Sequence, residues 1–219
     1  MVKEYSVDVL VVGGGMAGVS AAITSAGNGM NTMLIEMLDS LGGFNTNGLS
    51  SIPIEKVGLA KEIIDKVDEL TKSFYYESDP EITKLKNFYR SDPEIAKFVL
   101  EQMILEAGVK LLYYTYATDV VIENNYIKEV TAYNKSGKVS IRAKIFIDAT
   151  ISAYAGVPCE AGGKEYGGLN MSSTLCFRMT HVNLRKYYGA EEAWCKKHRT
   201  LPAFVSFIAE LEDEAFKKR

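Results

Sequence analysis

The segment that most constrains this chain runs from residue 8 to residue 36. An apolar run, Asp8-Val9-Leu10-Val11-Val12, breaks into Gly13-Gly14-Gly15-Met16-Ala17-Gly18, small residues follow, and a second apolar run ends in Leu34-Ile35-Glu36. Residues 6–12 read as a β-branched strand, 16–26 as a helix with Ala21 and Ala22 suited to close packing, and 31–36 as the next strand. Gly29 falls where a helix C-terminus wants a cap. A strand, tight turn, helix and strand in this order commit the chain to an α/β sheet with parallel strands. They also carry a binding reading. Gly13 frees the turn, Gly15 lets a pyrophosphate approach the backbone, and Gly18 lets the helix lie close on the sheet. The helix N-terminus, where Gly14, Met16 and Ala17 complete the turn, offers free N–H groups and a partial positive charge to that pyrophosphate. Glu36 ends the second strand about 20 residues beyond the turn, where a carboxylate accepts hydrogen bonds from a ribose diol. An ordinary glycine turn would explain the glycines alone; an adenine dinucleotide site explains the whole context.

Composition bounds the rest. The 219 residues make one large domain or two small ones, and 47% hydrophobic with 24% charged residues describes a globular protein. A formal charge of -3 is too small to argue for nucleic acid or membrane partners. Cys159, Cys176 and Cys195 form no Cys-x-x-Cys pattern, so a reducing compartment is the simpler reading. Lys3 precedes an apolar stretch, but Glu4, Asp8 and the glycine triplet interrupt it in a way no secretory leader explains. No apolar run is long enough to cross a bilayer. The expected location is cytoplasmic.

Residues 37–48 are a Gly- and Asn-rich loop. Over 54–73, Val57, Leu59, Ile63, Ile64, Val67 and Leu70 recur at helical spacing, so one face of a helix packs on a core. Residues 75–90 are polar and aromatic, with Pro80 opening a short helix or turn. A second helix opens at Asp92-Pro93-Glu94, with Ser91 and Glu94 at capping-box spacing. Ile95, Phe98, Val99, Met103 and Ile104 are its expected buried face, and Gly108 ends it. Strands follow over 110–116, 119–123, 127–133, 139–142 and 144–147, with Asn124-Asn125 and Lys135-Ser136-Gly137 as hairpin turns. A nicotinamide-type half would continue to alternate strand and helix. This chain instead predicts a helical insertion, a parallel strand and an antiparallel meander over one side of the sheet.

Residues 8–36, 41–52, 98–133 and 143–163 together resemble the FAD-dependent oxidoreductases of the glutathione-reductase-like flavoprotein class, nearest to the subgroup related to fumarate reductase flavoproteins. The resemblance implies a Rossmann-like FAD/NAD(P)-binding domain over 1–53 and 105–156, a helical insertion over 54–104, and part of a substrate or cap domain over 157–219. The implied cofactor is FAD. Gly42-Gly43 is typical of FAD sites in that class and would approach the diphosphate and ribityl chain. Asn45 and Thr46 lie where the family brings backbone toward the flavin ring. Ala117 matches a position whose backbone contacts adenine, and Ala149 and Thr150 match the start of an Ala-Thr-Gly motif. The implied activity is transfer of hydride or electrons, through the flavin N5, between FAD and an unidentified small-molecule substrate. Departures are plain. Ile151-Ser152-Ala153-Tyr154-Ala155-Gly156 replaces the family's Gly and acidic stretch, and the chain is short for the family. A truncated homologue, or one piece of a split protein, is therefore expected. The alternative is a non-catalytic relic or subunit that binds the dinucleotide weakly or needs a partner chain. An NAD-dependent Rossmann enzyme is opposed by the meander and by Gly42-Gly43. A partner chain or second copy is expected over 156–219, because a flavin domain without its neighbour exposes apolar surface.

No residue is singled out as the catalytic acid or base. His181 in Met179-Thr180-His181-Val182 reads as structural. Cys195 and His198 give two ligands where a zinc site needs three or four, so no metal is expected. Cys159 and Cys176 read as small core residues, and Phe74-Tyr75-Tyr76 and Tyr113-Tyr114 as packing.

Overall fold

A computed structural model describes residues 2–50, 57–75 and 92–150, together with Pro158, Gly163, Lys164, Gly167, Gly168, Leu175, Cys176 and Lys186. The chain divides into two units, Met1–Cys176 and Phe177–Arg219, and of the described residues only Lys186 lies in the second. The elements are β1 (Lys3–Val12), α1 (Met16–Gly27), β2 (Thr32–Ile35), a 3-10 turn (Gly43–Asn45), α2 (Gly58–Tyr75), α3 (Pro93–Glu106), β3 (Lys110–Leu112), β4 (Tyr116–Glu123), β5 (Tyr126–Asn134) and β6 (Gly137–Asp148). They form one six-stranded sheet in the order β3-β2-β1-β6-β5-β4. The strands from β3 to β6 in that order are parallel neighbours, while β6, β5 and β4 form the antiparallel meander.

The apolar run of β1 has no polar alternate because both faces of the strand are covered. Val9 and Val11 face one cluster with Val19 and Ala22 of α1, Ile63 and Val67 of α2, and Leu100 and Ile104 of α3. Leu10 faces a second cluster with Met33, Ile35, Val130, Ala132, Val139 and Ile141 beneath the meander. Helices α2 and α3 thus share a core with the strands they interrupt in sequence. The meander joins the parallel layer through β6. That strand runs beside β1 from Val139 to Asp148, but pairs with β5 only as far as Arg142. Past Arg142 the two layers part, and a cavity opens between them.

Several expectations are corrected. The strands placed at 139–142 and 144–147 are one strand, because Ala143 continues the ladder opposite Val7. The third parallel strand stops at Leu112 rather than 116; Tyr114 turns the chain with φ 51 before β4 begins. Phe98 is 57% exposed, since the buried stripe of α3 is Ala96, Val99, Leu100, Met103 and Ile104, an i, i+3, i+4 pattern that excludes it. Val57 precedes α2 and is exposed. Cys176 is exposed beside an exposed Leu175, on surface where a small apolar side chain finds no core.

The α1 start, the Asp92 cap and the Asn124-Asn125 turn are as expected. Asp92 accepts from the Glu94 and Ile95 N–H groups, and both asparagines are left-handed, with φ 51 and 64. Residues 76–91, His181, Cys159, Cys195, His198 and residues 151–157 lie outside the described residues.

Candidate functional site

The cavity has a volume of about 590 Å³ and lies where the C-terminal ends of β1, β2 and β6 meet the start of the meander. Ends of parallel strands at such a divide are where α/β sheets place ligands. Among the residues expected at a dinucleotide site, Gly13, Gly15, Glu36, Ala117, Ala149 and Thr150 line it. Gly14, Met16, Ala17, Gly18, Gly42, Gly43, Asn45 and Thr46 are not among the residues that line it.

Gly13 leaves β1 with φ 102, and its N–H donates to the Ile35 carbonyl at 2.9 Å, so the turn is tied to the end of β2. A Cβ on Gly18 would stand 1.8 Å from the Gly13 carbonyl oxygen and 3.2 Å from the Ala149 Cβ, which is the close helix approach the sequence predicts. Gly15 differs. A Cβ there meets nothing within 4 Å, and the residue lines the cavity at the N-terminus of α1. Open space therefore lies beside the N-terminus of α1, on the cavity side of the turn.

Gly42 and Gly43 are drawn onto this turn. The Gly42 N–H donates to the Gly14 carbonyl at 2.8 Å, and a Cβ on Gly43 would be 3.2 Å from the Gly15 Cα. The two side chains after them hold their own loop. The fully buried Thr46 hydroxyl donates to the Leu41 carbonyl at 2.5 Å, and the Asn45 amide donates to the Ser50 carbonyl at 3.0 Å.

Glu36 is 7% exposed, with both carboxylate oxygens turned to main-chain donors. Oε2 accepts the Gly14 N–H at 2.5 Å and Oε1 accepts the Leu38 N–H at 2.8 Å. Across the cavity, Thr115 to Val120 line it without a break. A strand wall in regular alternation would show every second residue. A register shift between Ala117 and Asp119 interrupts that alternation in β4, the outermost strand of the meander.

Other wall residues escape a reading of the sequence. Met37, Asp119, Ile127, Val130, Phe146 and Asp148 contribute as well. Asp148 immediately precedes Ala149, and its Oδ1 accepts the Thr150 N–H at 2.8 Å and hydroxyl at 2.7 Å, closing the end of β6. Ile127, Val130 and Phe146 carry no sequence signal, because only the pairing of the meander brings them to the wall. No lysine or arginine lines the cavity, among the described residues. The result is a mostly apolar cavity with the carboxylates of Glu36, Asp119 and Asp148 in its wall and the Gly15 turn at one side.

Tyr113 stands outside this wall and is no acid–base candidate. Burial, and then its 2.8 Å hydrogen bond to Glu101, hold the phenol well above its ordinary range, so it stays protonated. Tyr114 is half exposed under Lys135, whose Nζ is 4.6 Å from the ring centroid. Among the described residues, no group of three His, Cys, Asp or Glu side chains could hold a metal ion, and no helix is long and apolar enough to cross a membrane.

The family model for FAD dependent oxidoreductases matches residues 8–218. The digeranylgeranylglycerophospholipid reductase of Methanosarcina acetivorans is 29% identical over 159 residues, covering 65% of this chain and 37% of that protein. The dihydrolipoyl dehydrogenase of Buchnera aphidicola is 37% identical over 90 residues, covering 40% of this chain and 19% of its own length. The crystal structure of Thermovibrio ammonificans THI4 is 20% identical with a TM-score of 0.49, covering 72% of this chain and 66% of that one. This chain spans 37% of the length of the Methanosarcina reductase. On the family match, the chain belongs to the FAD dependent oxidoreductase family.

Proposed function

We propose that this member of the FAD dependent oxidoreductase family holds the adenosine diphosphate half of FAD in the cavity at the ends of β1, β2 and β6, and that the whole protein oxidises or reduces a small-molecule substrate. The observation that carries the proposal is Gly15, where open space meets the N-terminus of α1 at the cavity wall. The donor set fits the group. N–H groups of the first turn of α1 would take the diphosphate. The Glu36 carboxylate would accept from the ribose hydroxyls, and the edge of β4 at Ala117 would meet the adenine, whose faces suit the apolar side chains Val130 and Phe146. Gly42 and Gly43 would bring backbone to the diphosphate and ribityl chain, with Asn45 and Thr46 beyond them toward the ring. Ala149 and Thr150 would close over the cofactor from β6.

FAD, when bound, supplies the redox chemistry through the flavin N5, while the protein supplies binding, orientation and electrostatics. The described residues bind and orient. The first 158 residues contain no cysteine, so this part of the chain brings no thiol to the site. A partner chain or second copy over residues 156–219 belongs to the same reading, and sedimentation at rising concentration tests it: a monomer throughout removes it. Cytoplasmic location rests on three cysteines without a pairing pattern.

The direct test is the visible spectrum of the purified chain before and after addition of FAD and desalting. A retained flavin spectrum supports the reading, and bleaching by candidate substrates then finds the reaction. A colourless chain favours the other reading, a subunit or relic that needs a partner to complete the site.

A further inference from the structure

Gly14 is the glycine the dinucleotide pattern does not require. Its φ is not left-handed, so conformation does not demand it either. What demands it is contact. A Cβ on Gly14 would stand 2.9 Å from Glu36 Oε2, 3.1 Å from Glu36 Cβ and 2.6 Å from Leu41 Cδ2. The peptide is also gripped from both sides. Its N–H donates to Glu36 Oε2 at 2.5 Å, and its carbonyl accepts the Gly42 N–H at 2.8 Å. The other Glu36 oxygen accepts the Leu38 N–H at 2.8 Å. A carboxylate waiting only for a ribose would be solvated; this one is 7% exposed and already engaged.

We infer that Glu36 is a positioning residue of the phosphate turn: it fixes the Gly14 peptide, and through it Gly15 and the start of α1, before any nucleotide arrives. The inference rests on the FAD reading only for the identity of the nucleotide. Each carboxylate oxygen keeps a second acceptor site, so this clamp and a ribose contact coexist. Three segments meet at one peptide: the β1–α1 turn, the end of β2 and the Gly42 loop. Removing the carboxylate therefore loosens the anion cradle even for a ligand with no ribose hydroxyls. Glu36→Gln is the informative change. An amide has one acceptor oxygen, so its NH2 must face the N–H of Gly14 or of Leu38, donor against donor.

The experiment is a titration of the wild type and of Glu36→Gln with ADP and with 2′,3′-dideoxy-ADP. Amide hydrogen exchange at Gly14 and Leu38 in the nucleotide-free protein is measured alongside. The clamp predicts weakening of about tenfold for ADP, a clear loss for the dideoxy analogue as well, and faster exchange at both amides. Equal binding of the dideoxy analogue by both proteins, with unchanged exchange, overturns the inference and leaves Glu36 acting only on the diol. Should Glu36→Gln not fold, Gly14→Ala keeps the carboxylate but pushes it away. That variant is expected to weaken both nucleotides, and wild-type binding of both would overturn the clamp. A wild type that binds neither nucleotide sinks the FAD reading, while the exchange rates still decide the clamp.

Discussion

At the scale of single residues, the glycines of one turn do different work, and substitutions separate them. Gly15 has room for a side chain in this structure. Gly15→Val should therefore fold with near wild-type stability yet lose FAD, because the new side chain fills the cradle rather than striking protein. Unchanged FAD retention on desalting would remove the main support for the site. Gly18→Ala should behave the opposite way. Its Cβ would sit 1.8 Å from a backbone oxygen, so α1 must shift off β1, at a cost of about 3 kcal/mol or more. Thermal unfolding that moves by only a degree or two would contradict the packing. A glycine pattern in sequence announces a turn with these jobs but cannot say what each Cβ would strike. Gly14 illustrates the gap, since its need for glycine comes from Glu36 and Leu41, residues distant in sequence.

At the scale of elements, caps and turns were legible because they are local. Asp92 caps α3 through its own neighbours, and Asp92→Ala should destabilise the protein by about 1 kcal/mol, read by urea unfolding. The pairing of β1 with β6 has a less visible tie. Lys144 Nζ lies 2.7 Å from Asp8 Oδ1, and the Asn31 N–H donates to Oδ2 of the same carboxylate at 3.0 Å. The Lys144 ammonium first, and then the Asn31 N–H, hold the Asp8 carboxyl below its ordinary 3.8. A lowered folded value means the stabilisation is present above pH 3.8 and is lost as pH falls through the lower, folded value. Lys144 is raised above 10.5 by the same pair, so its contribution is full below that pH and fades as pH rises through the higher value. Lys144→Met should flatten both limbs of a stability–pH curve; Lys144 is exposed and Asp8 partly so, and the effect is small and shrinks with salt.

For the whole molecule, a ligand that binds only the folded state stabilises it, by about 2.7 kcal/mol at a hundredfold excess over Kd. FAD should raise the melting temperature of the wild type by several degrees and leave that of Gly15→Val unchanged; equal shifts in both would place the ligand elsewhere. The α/β class, the order of the elements, the glycine turn with its acid, and the family were legible in the chain, because each is written in residues close together. The sequence misplaced Phe98 and divided β6 in two, since a buried stripe and a continuous ladder are settled by what packs opposite. Where β5 lets go of β6 is fixed by packing in three dimensions, and the cavity opens beyond that point. Ile127, Val130 and Phe146 reach the wall, and Glu36 reaches Gly14, in the same way. Those are contacts between segments far apart in sequence, governed by strand pairing and packing rather than by any local preference of the residues that make them.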